Sequence, residues 1–302
     1  MTNNPPIPSG YKLMAQKAVT PAMTAWAVQI LRSPQEYPML ATTTRVFGDR
    51  QVLARVEWHP PDFQNHVQHR GVTLYEASLA VVDAMPARGI DISRYQSDVD
   101  FKRAQASGIS FTFMKATEST GLVDSTFATH WSLAKQVGLL RGPYHFFRPK
   151  QDALAQARLF LAQLADPGEL PPALDVEVAD GLAGAQIVAG VGTWVDFVTA
   201  RLGRPLIYTS PNFWNALPGT ASVARKADLW VAHWGATAPA TVNGWLRWTF
   251  WQRTNQASIP GVPTVVDEDR FNGSLAQLRS YSAAIFAERK TFDAFESTQP
   301  NA

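Results

Sequence analysis

From Gly89 onward, short apolar runs alternate with helical segments, and few folds accept that order. The β-type runs are Gly89–Ser93, Phe111–Thr117, Arg141–Phe147, Ala173–Val178 and Pro205–Ser210. Between them lie helical segments at Phe101–Ser107, Phe127–Val137, Ala153–Ala165 and Ala185–Leu202. Each strand–helix pair has the length of one βαβ step. Three further strand-like runs, Leu229–Trp234, Trp248–Thr254 and Val265–Phe271, follow with little helix between them. Alternating apolar strands and helices imply a parallel sheet covered by helices. Eight strands in about 185 residues are few residues for a barrel, which usually takes about 250. The expectation is an α/β fold: a reduced β/α barrel of eight strands that lacks helices on one side. Leu275–Phe295 reads as a surface helix.

Residues 1–88 differ in character. A Pro-rich start precedes a predicted helix, Pro21–Leu31, and then β-like runs at Thr42–Phe47, Gln51–Trp58 and Gly71–Tyr75. Alternation of Val52, Ala54, Val56 and Trp58 predicts one buried strand face. The division expected is a small α+β accessory region over 1–88 and a catalytic barrel over 89–302. His59–His69 holds three His and Asp62, with Glu57 nearby, but no pair has helical ligand spacing and Pro60-Pro61 suggests a solvated loop. No metal and no cofactor are assigned.

Composition removes several classes of function. With 46% hydrophobic and 17% charged residues the chain can bury a sizeable core, which excludes global disorder. The net charge of +2 is too weak to argue for nucleic acid. Residues 1–88 carry eight basic and six acidic residues, a surplus equal to that whole charge. The absence of Cys excludes disulfides and thiolate metal sites. The least polar long stretch, Gly181–Val195, is too short to span a bilayer, so no membrane insertion is expected. The N-terminus has neither the basic start nor the apolar core of a signal peptide. Ten Trp offer faces for sugar rings, although the simpler reading of any one of them is core.

Chemistry is concentrated at strand ends. In Ala173-Leu-Asp-Val-Glu-Val178, Asp175 and Glu177 fall two apart, so a strand places both on one face. Such a face is costly unless water or partners reach it. Asp91 ends another run, Val265-Val-Asp267-Glu-Asp269 carries an acidic cluster, and Met114–Glu118 brings Lys115 and Glu118. Acids converging at one barrel mouth acquire divided pKa values, one held protonated while others stay ionised, as glycoside hydrolysis requires. For Asp91 alone, a cap or turn role is the simpler reading. Clustered carboxylates also hold hard cations, a further alternative.

Taken in order, these segments resemble glycoside hydrolase family 25, the Chalaropsis-type lysozymes. The matching stretches are Gly89-Ile-Asp-Ile-Ser93 with Gln96, Phe113–Glu118, Asp124–Phe127, Gly142-Pro-Tyr-His-Phe-Phe147, and Leu170-Pro-Pro-Ala-Leu-Asp-Val-Glu177. They continue with Ile207–Ser210, Leu229-Trp-Val-Ala-His233, Phe250-Trp-Gln252, and Val266-Asp267 with Arg270–Gly273. The resemblance implies a flattened eight-strand barrel with helices mainly in its first half. It implies hydrolysis of the β-1,4 bond between N-acetylmuramic acid and N-acetylglucosamine in bacterial peptidoglycan, with retention. By position, Glu177 looks like the general acid and Asp175, Asp91 and Asp267 its acidic companions. Tyr144, Lys115, Glu118 and Trp251 look like groove residues, with barrel packing the alternative for Trp251. His145 and His233 read as structural hydrogen-bonders. Ser97 and Asp269 depart from the family's Gly and Asn, which leaves Asp267 and Asp269 as competitors for the groove; motif alignment selects Asp267. The missing signal peptide suggests a phage or prophage endolysin, made in the cytoplasm and freed to the wall by a separate membrane-pore protein, with an exported effector the alternative; a monomer is the default expectation. A non-catalytic wall-binding protein and a metal-dependent polysaccharide hydrolase or deacetylase are the competing readings.

Overall fold

The computed structural model describes residues 7–285 except 9, 16–17, 34, 36–41, 48 and 60–68. The chain divides into two compact units, Met1–Met85 with Asp100–Gly108, and Pro86–Val99 with Ile109–Ala302.

The first unit contains β1 (Lys12–Leu13), α1 (Pro21–Arg32), β2 (Thr42–Phe47), β3 (Arg50–His59), β4 (His69–Ser78) and α2 (Leu79–Ala84). The strands form an antiparallel sheet in the order β1-β4-β3-β2. Thr20 caps α1 by accepting from the Met23 N–H, and Pro21 occupies the first helical position, where its missing N–H costs nothing. Met23, Trp26 and Ile30 of α1 pack with Val52, Ala54 and Val56 of β3, the face that alternation predicted. The opposite residues Leu53 and Arg55 are buried as well, so β3 is covered on both sides. The segment between His59 and His69 and the side chain of Trp58 lie outside the described residues. Glu57 is engaged by Arg55 and Thr73. Helix α3 (Phe101–Ala106), read as a barrel helix from its place between strands, groups with this unit and lies against β2.

The second unit contains β5 (Pro86–Ile92), β6 (Ile109–Glu118), the two-residue β7 (Leu122–Val123), α4 (Phe127–Gln136), β8 (Leu140–Phe146), α5 (Ala153–Ala162), β9 (Ala173–Asp175) and α6 (Gly184–Leu202). It continues with β10 (Leu206–Thr209), α7 (Pro211–Asn215), α8 (Ala221–Ala224), β11 (Asp228–Ala232), β12 (Phe250–Ala257) and β13 (Val266–Ser274). All strands but β7 close into a barrel, β5-β6-β8-β9-β10-β11-β12-β13, and β13 bonds back to β5. Among the described residues no helix separates β11 from β12 or β12 from β13. The helices therefore cover mainly the first half.

One expectation needs correction. The sheet is not all parallel: β13 runs antiparallel to both β12 and β5. Only residues 258–265 join β12 to its neighbour β13, and a parallel pairing would need a crossover of a dozen or more.

Side-chain volume inside the barrel is matched across strands. Phe111 and Phe113 of β6 pair with Gly89 of β5 and Gly142 of β8. A Cβ on either glycine would lie 2.3 Å from the facing ring, so both positions exclude any larger residue. Phe113 stacks on Trp230 at 4.3 Å and meets Phe250 edge-on at 5.0 Å. Outside the strands, α6 buries Ile187, Val191, Trp194, Val195 and Val198, one helical stripe. Residues 275–285 are helical, and Leu278 is fully buried with Phe271 and Phe250, so this helix seals the barrel's lower end. The rest of the predicted helix, 286–295, lies outside the described residues.

Candidate active site

The carboxyl ends of the parallel strands surround a cleft of about 430 Å³. Asp91 comes from the end of β5, Lys115 from β6, Tyr144 from β8 and Asp175 from the last position of β9. Tyr208 of β10, Gln252 of β12 and Asp267 of β13 complete the floor and walls. Glu177 also lines the cleft, although β9 ends two residues before it and not at Val178. The Val176 N–H still bonds the Tyr208 carbonyl at 2.8 Å, which carries the ladder far enough to keep both acids on the cleft side.

Burial separates the acids. Asp175 is buried, and its Oδ1 has no hydrogen-bond partner. Desolvation first, and then the neighbouring Glu177, push its pKa well above the carboxylate range, while Lys115 opposes them. Glu177 is open to solvent. Partial desolvation nevertheless raises its carboxyl, again against Lys115. Lys115 is held by Glu118 at 2.7 Å and lies 4.7 Å from the Phe146 ring centroid. Glu118 itself does not line the cleft; it anchors the lysine that does.

A second acidic group sits where β5 meets β13. Asp91 and Asp267 are direct partners across that pair. Asp267 lines the cleft, whereas Asp269 has no exposed surface and accepts Trp230 Nε1–H at 2.8 Å. Structure thus places Asp267, not Asp269, at the groove. The Asp269 Oδ2 is buried without a donor, so an ionised Asp269 would leave an unpaired anionic oxygen. Desolvation raises Asp269 to about 8 and Asp267 to about 6. Asp91 is raised well above the usual range by desolvation and by these two neighbours. All three carboxyls therefore hold protons more tightly than a free carboxyl does.

Gln252, quoted only as part of a motif in the sequence, is the junction of the floor. It accepts from Tyr208 OH at 2.9 Å and Trp234 Nε1 at 2.7 Å, and it donates to Asp91 Oδ2 at 2.7 Å. Burial and then Asp175 hold the Tyr208 hydroxyl protonated far above its ordinary pKa. Exposed Tyr95 and Trp234 line the opening; Tyr95 comes three residues after the end of β5 and Trp234 two after the end of β11, and this closeness to strand ends is the one signal that could have found them.

Trp251 takes the packing alternative and does not line the cleft. It alternates with the inward Phe250 and Gln252, so it faces away from the cleft; its Nε1 donates to the His233 carbonyl at 2.9 Å and its ring packs on Trp248. His145 is buried between Thr117 and Gln156, and burial lowers its pKa to about 4, which keeps it neutral. His233 Nδ1 accepts the Ala240 N–H at 2.9 Å. Among the described residues no three His, Asp or Glu are grouped to hold a metal ion.

Fold and cleft together are those of a barrel glycoside hydrolase. The family model for glycosyl hydrolases family 25 matches residues 90–262, and the chain belongs to that family. It is 34% identical over 216 residues to Lysozyme M1 of Streptomyces globisporus, covering 67% of this chain and 74% of that one. It is 32% identical over 209 residues to the N,O-diacetylmuramidase of a Chalaropsis species, 64% of this chain and 97% of the relative. Among solved structures, a bacterial lysozyme from Streptomyces coelicolor superposes with a TM-score of 0.62 at 33% identity, over 67% of this chain and all of the other.

Proposed function

We propose that this enzyme hydrolyses the β-1,4 bond between N-acetylmuramic acid and N-acetylglucosamine of peptidoglycan, with retention and with Glu177 as proton donor. The observation that carries the reading is the unequal pair at the end of β9. Glu177 is reachable by solvent and substrate and holds its proton more tightly than a free carboxyl. Asp175 is buried beside it with an unmet acceptor oxygen. In the first step Glu177 gives its proton to the glycosidic oxygen as the bond to the anomeric carbon breaks. Attack by Asp175 itself is one route to retention; it needs Asp175 ionised, the form that Lys115 favours against burial and Glu177. The unmet Asp175 oxygen suits the other: it accepts the substrate's acetamido N–H, while the acetamido oxygen closes onto the anomeric carbon. Water, giving a proton back to Glu177, then attacks that carbon and reopens the acetamido group. Asp267, raised only to about 6, supplies negative potential to the oxocarbenium-like centre, with Asp91 beside it across the β5–β13 pair.

Mass spectrometry of digested peptidoglycan tests this reading. Products with reducing-end muramic acid support it; reducing-end glucosamine or freed peptides would reject it. NMR of the first-formed anomer reads retention directly. We also infer a phage or prophage lysis role, tested by co-expression with a membrane-pore protein: culture lysis should require both. Residues 1–88 are proposed as a wall-binding or positioning module, and a folded 1–88 fragment that fails to sediment with peptidoglycan at low salt would remove that role.

A further inference from the structure

A second cavity, of about 450 Å³, lies at the other end of the barrel. Its walls include Asp228 and Leu229 at the start of β11, Thr249 just before β12, and Phe271 and Asn272 near the end of the antiparallel β13. These positions put it at the amino ends of the parallel strands, opposite the catalytic cleft. Its lining is unlike a packing defect. Trp245, Trp248 and Tyr281 contribute aromatic rings, and the intervening Leu246 is fully exposed.

The charge also differs from that of the cleft. Arg204, Arg225 and Arg247 face one carboxylate, Asp228. Arg204 is committed to Asp228 at 2.7 Å and to the carbonyls of Arg225 and Ala227. Tyr281 OH takes the other Asp228 oxygen at 3.0 Å. Among the described residues Arg225 and Arg247 make no ion pair, and both are exposed, so two guanidinium groups stand free at the cavity's edge. Asn272 uses its amide nitrogen on the Trp248 carbonyl at 2.9 Å, which leaves its oxygen for a ligand.

We propose that this cavity is a second saccharide-binding site, selective for an anionic glycan. Aromatic faces take the apolar faces of sugar rings, and the two free arginines take carboxylates carried on the chain. The choice of ligand rests on the wall-polymer reading above. The cleft is lined by acids and gains nothing from a polymer's carboxylates; the base supplies that attraction at the far end of the same barrel. Bound there, a neighbouring strand would keep the enzyme at a high local concentration of cleavable bonds.

The test uses the full-length Glu177→Gln chain, which should bind without digesting, in sedimentation with insoluble peptidoglycan at low salt. Adding R225E and R247E should weaken retention about tenfold. An equal charge change on α5 and α6, R158E with R201E, should weaken it less than about twofold. Retention on chitin, a neutral glycan, should change by less than about twofold with either pair. Equal retention of the R225E/R247E chain on peptidoglycan overturns the proposal. So does an equal loss in the control pair, which would mean diffuse electrostatics, or an equal loss on chitin, which would mean no carboxylate recognition. The digestion products of the wild-type enzyme report the reaction separately, so failure of the second site and failure of the muramidase reading are distinct results.

Discussion

Two charge clusters lie in this barrel, and their construction is opposite. At the start of β8, Arg141 has no exposed surface, and its guanidinium is fully engaged. It donates to Glu169 at 2.7 and 2.9 Å, to Asp166 at 3.0 Å and to the Trp131 carbonyl at 3.2 Å. Asp166 feels some desolvation, but bonds from Lys135, Gly168 and Arg141 outweigh it and pull its pKa down to about 2. At the cleft, Asp91, Asp175, Glu177 and Asp267 gather with one lysine, the buried Asp175 Oδ1 lacks a donor, and every one of these carboxyls is raised. A cluster that serves the fold balances its charges and satisfies its atoms. A cluster that serves chemistry keeps like charges in conflict, because that conflict holds a proton available for transfer.

The comparison can be broken most sharply at Glu177. Replacement by Gln should lower kcat on peptidoglycan at least about 10³-fold while leaving the melting temperature near the wild-type value, because only the transferable proton is lost. A variant within tenfold of wild type would remove Glu177 as the donor. Arg141→Ala should do the reverse: about 2–3 kcal/mol of stability lost in denaturant unfolding, since Glu169 loses its two-pronged partner and the buried Trp131 carbonyl its donor while Asp166 keeps Lys135, with any folded fraction still active. A loss below about 1 kcal/mol would show that the Arg141 cluster does not act as a structural unit.

Smaller effects appear in pH dependence. Asp269 binds its proton more tightly folded, at about 8, than unfolded. Its contribution is therefore complete below the ordinary carboxylate pKa and is lost as pH rises toward 8. Asp269→Asn should flatten the fall of melting temperature between pH 5 and 8, by about 3 °C or more across that range. An unchanged slope would contradict a raised Asp269 carboxyl. Asp166 has the opposite sign: its contribution is present above the ordinary pKa and disappears as pH falls toward 2. The smallest effect is expected for Trp251→Phe, where kcat/KM should change by less than about twofold because the ring faces away from the cleft. A tenfold loss would return Trp251 to the groove.

Much of the barrel could be read from residue order because its strands are buried on both faces and announce themselves as apolar runs. The orientation of β13 could not be read so directly, since its residues suit either direction and a short connection decides. Helix α3 shows a similar limit: its sequence specifies a helix, capped by Asp100 at Arg103 N–H, but not the unit it joins. Trp251 stays open between groove and packing in the sequence because an aromatic residue in a motif is compatible with either face of a strand, and only the inward positions of Phe250 and Gln252 settle its side.

By itself the sequence determined that acids fall at strand ends and that Asp175 and Glu177 share a face. Those are properties of local spacing. Tertiary structure alone decided which acids become desolvated together, that Gln252 joins Tyr208, Trp234 and Asp91, and that Asp269 is sealed beneath Asp267. Proton affinity and hydrogen-bond partnership depend on what surrounds a group in three dimensions, and residues 161 positions apart, as Asp91 and Gln252 are, meet only when the barrel closes.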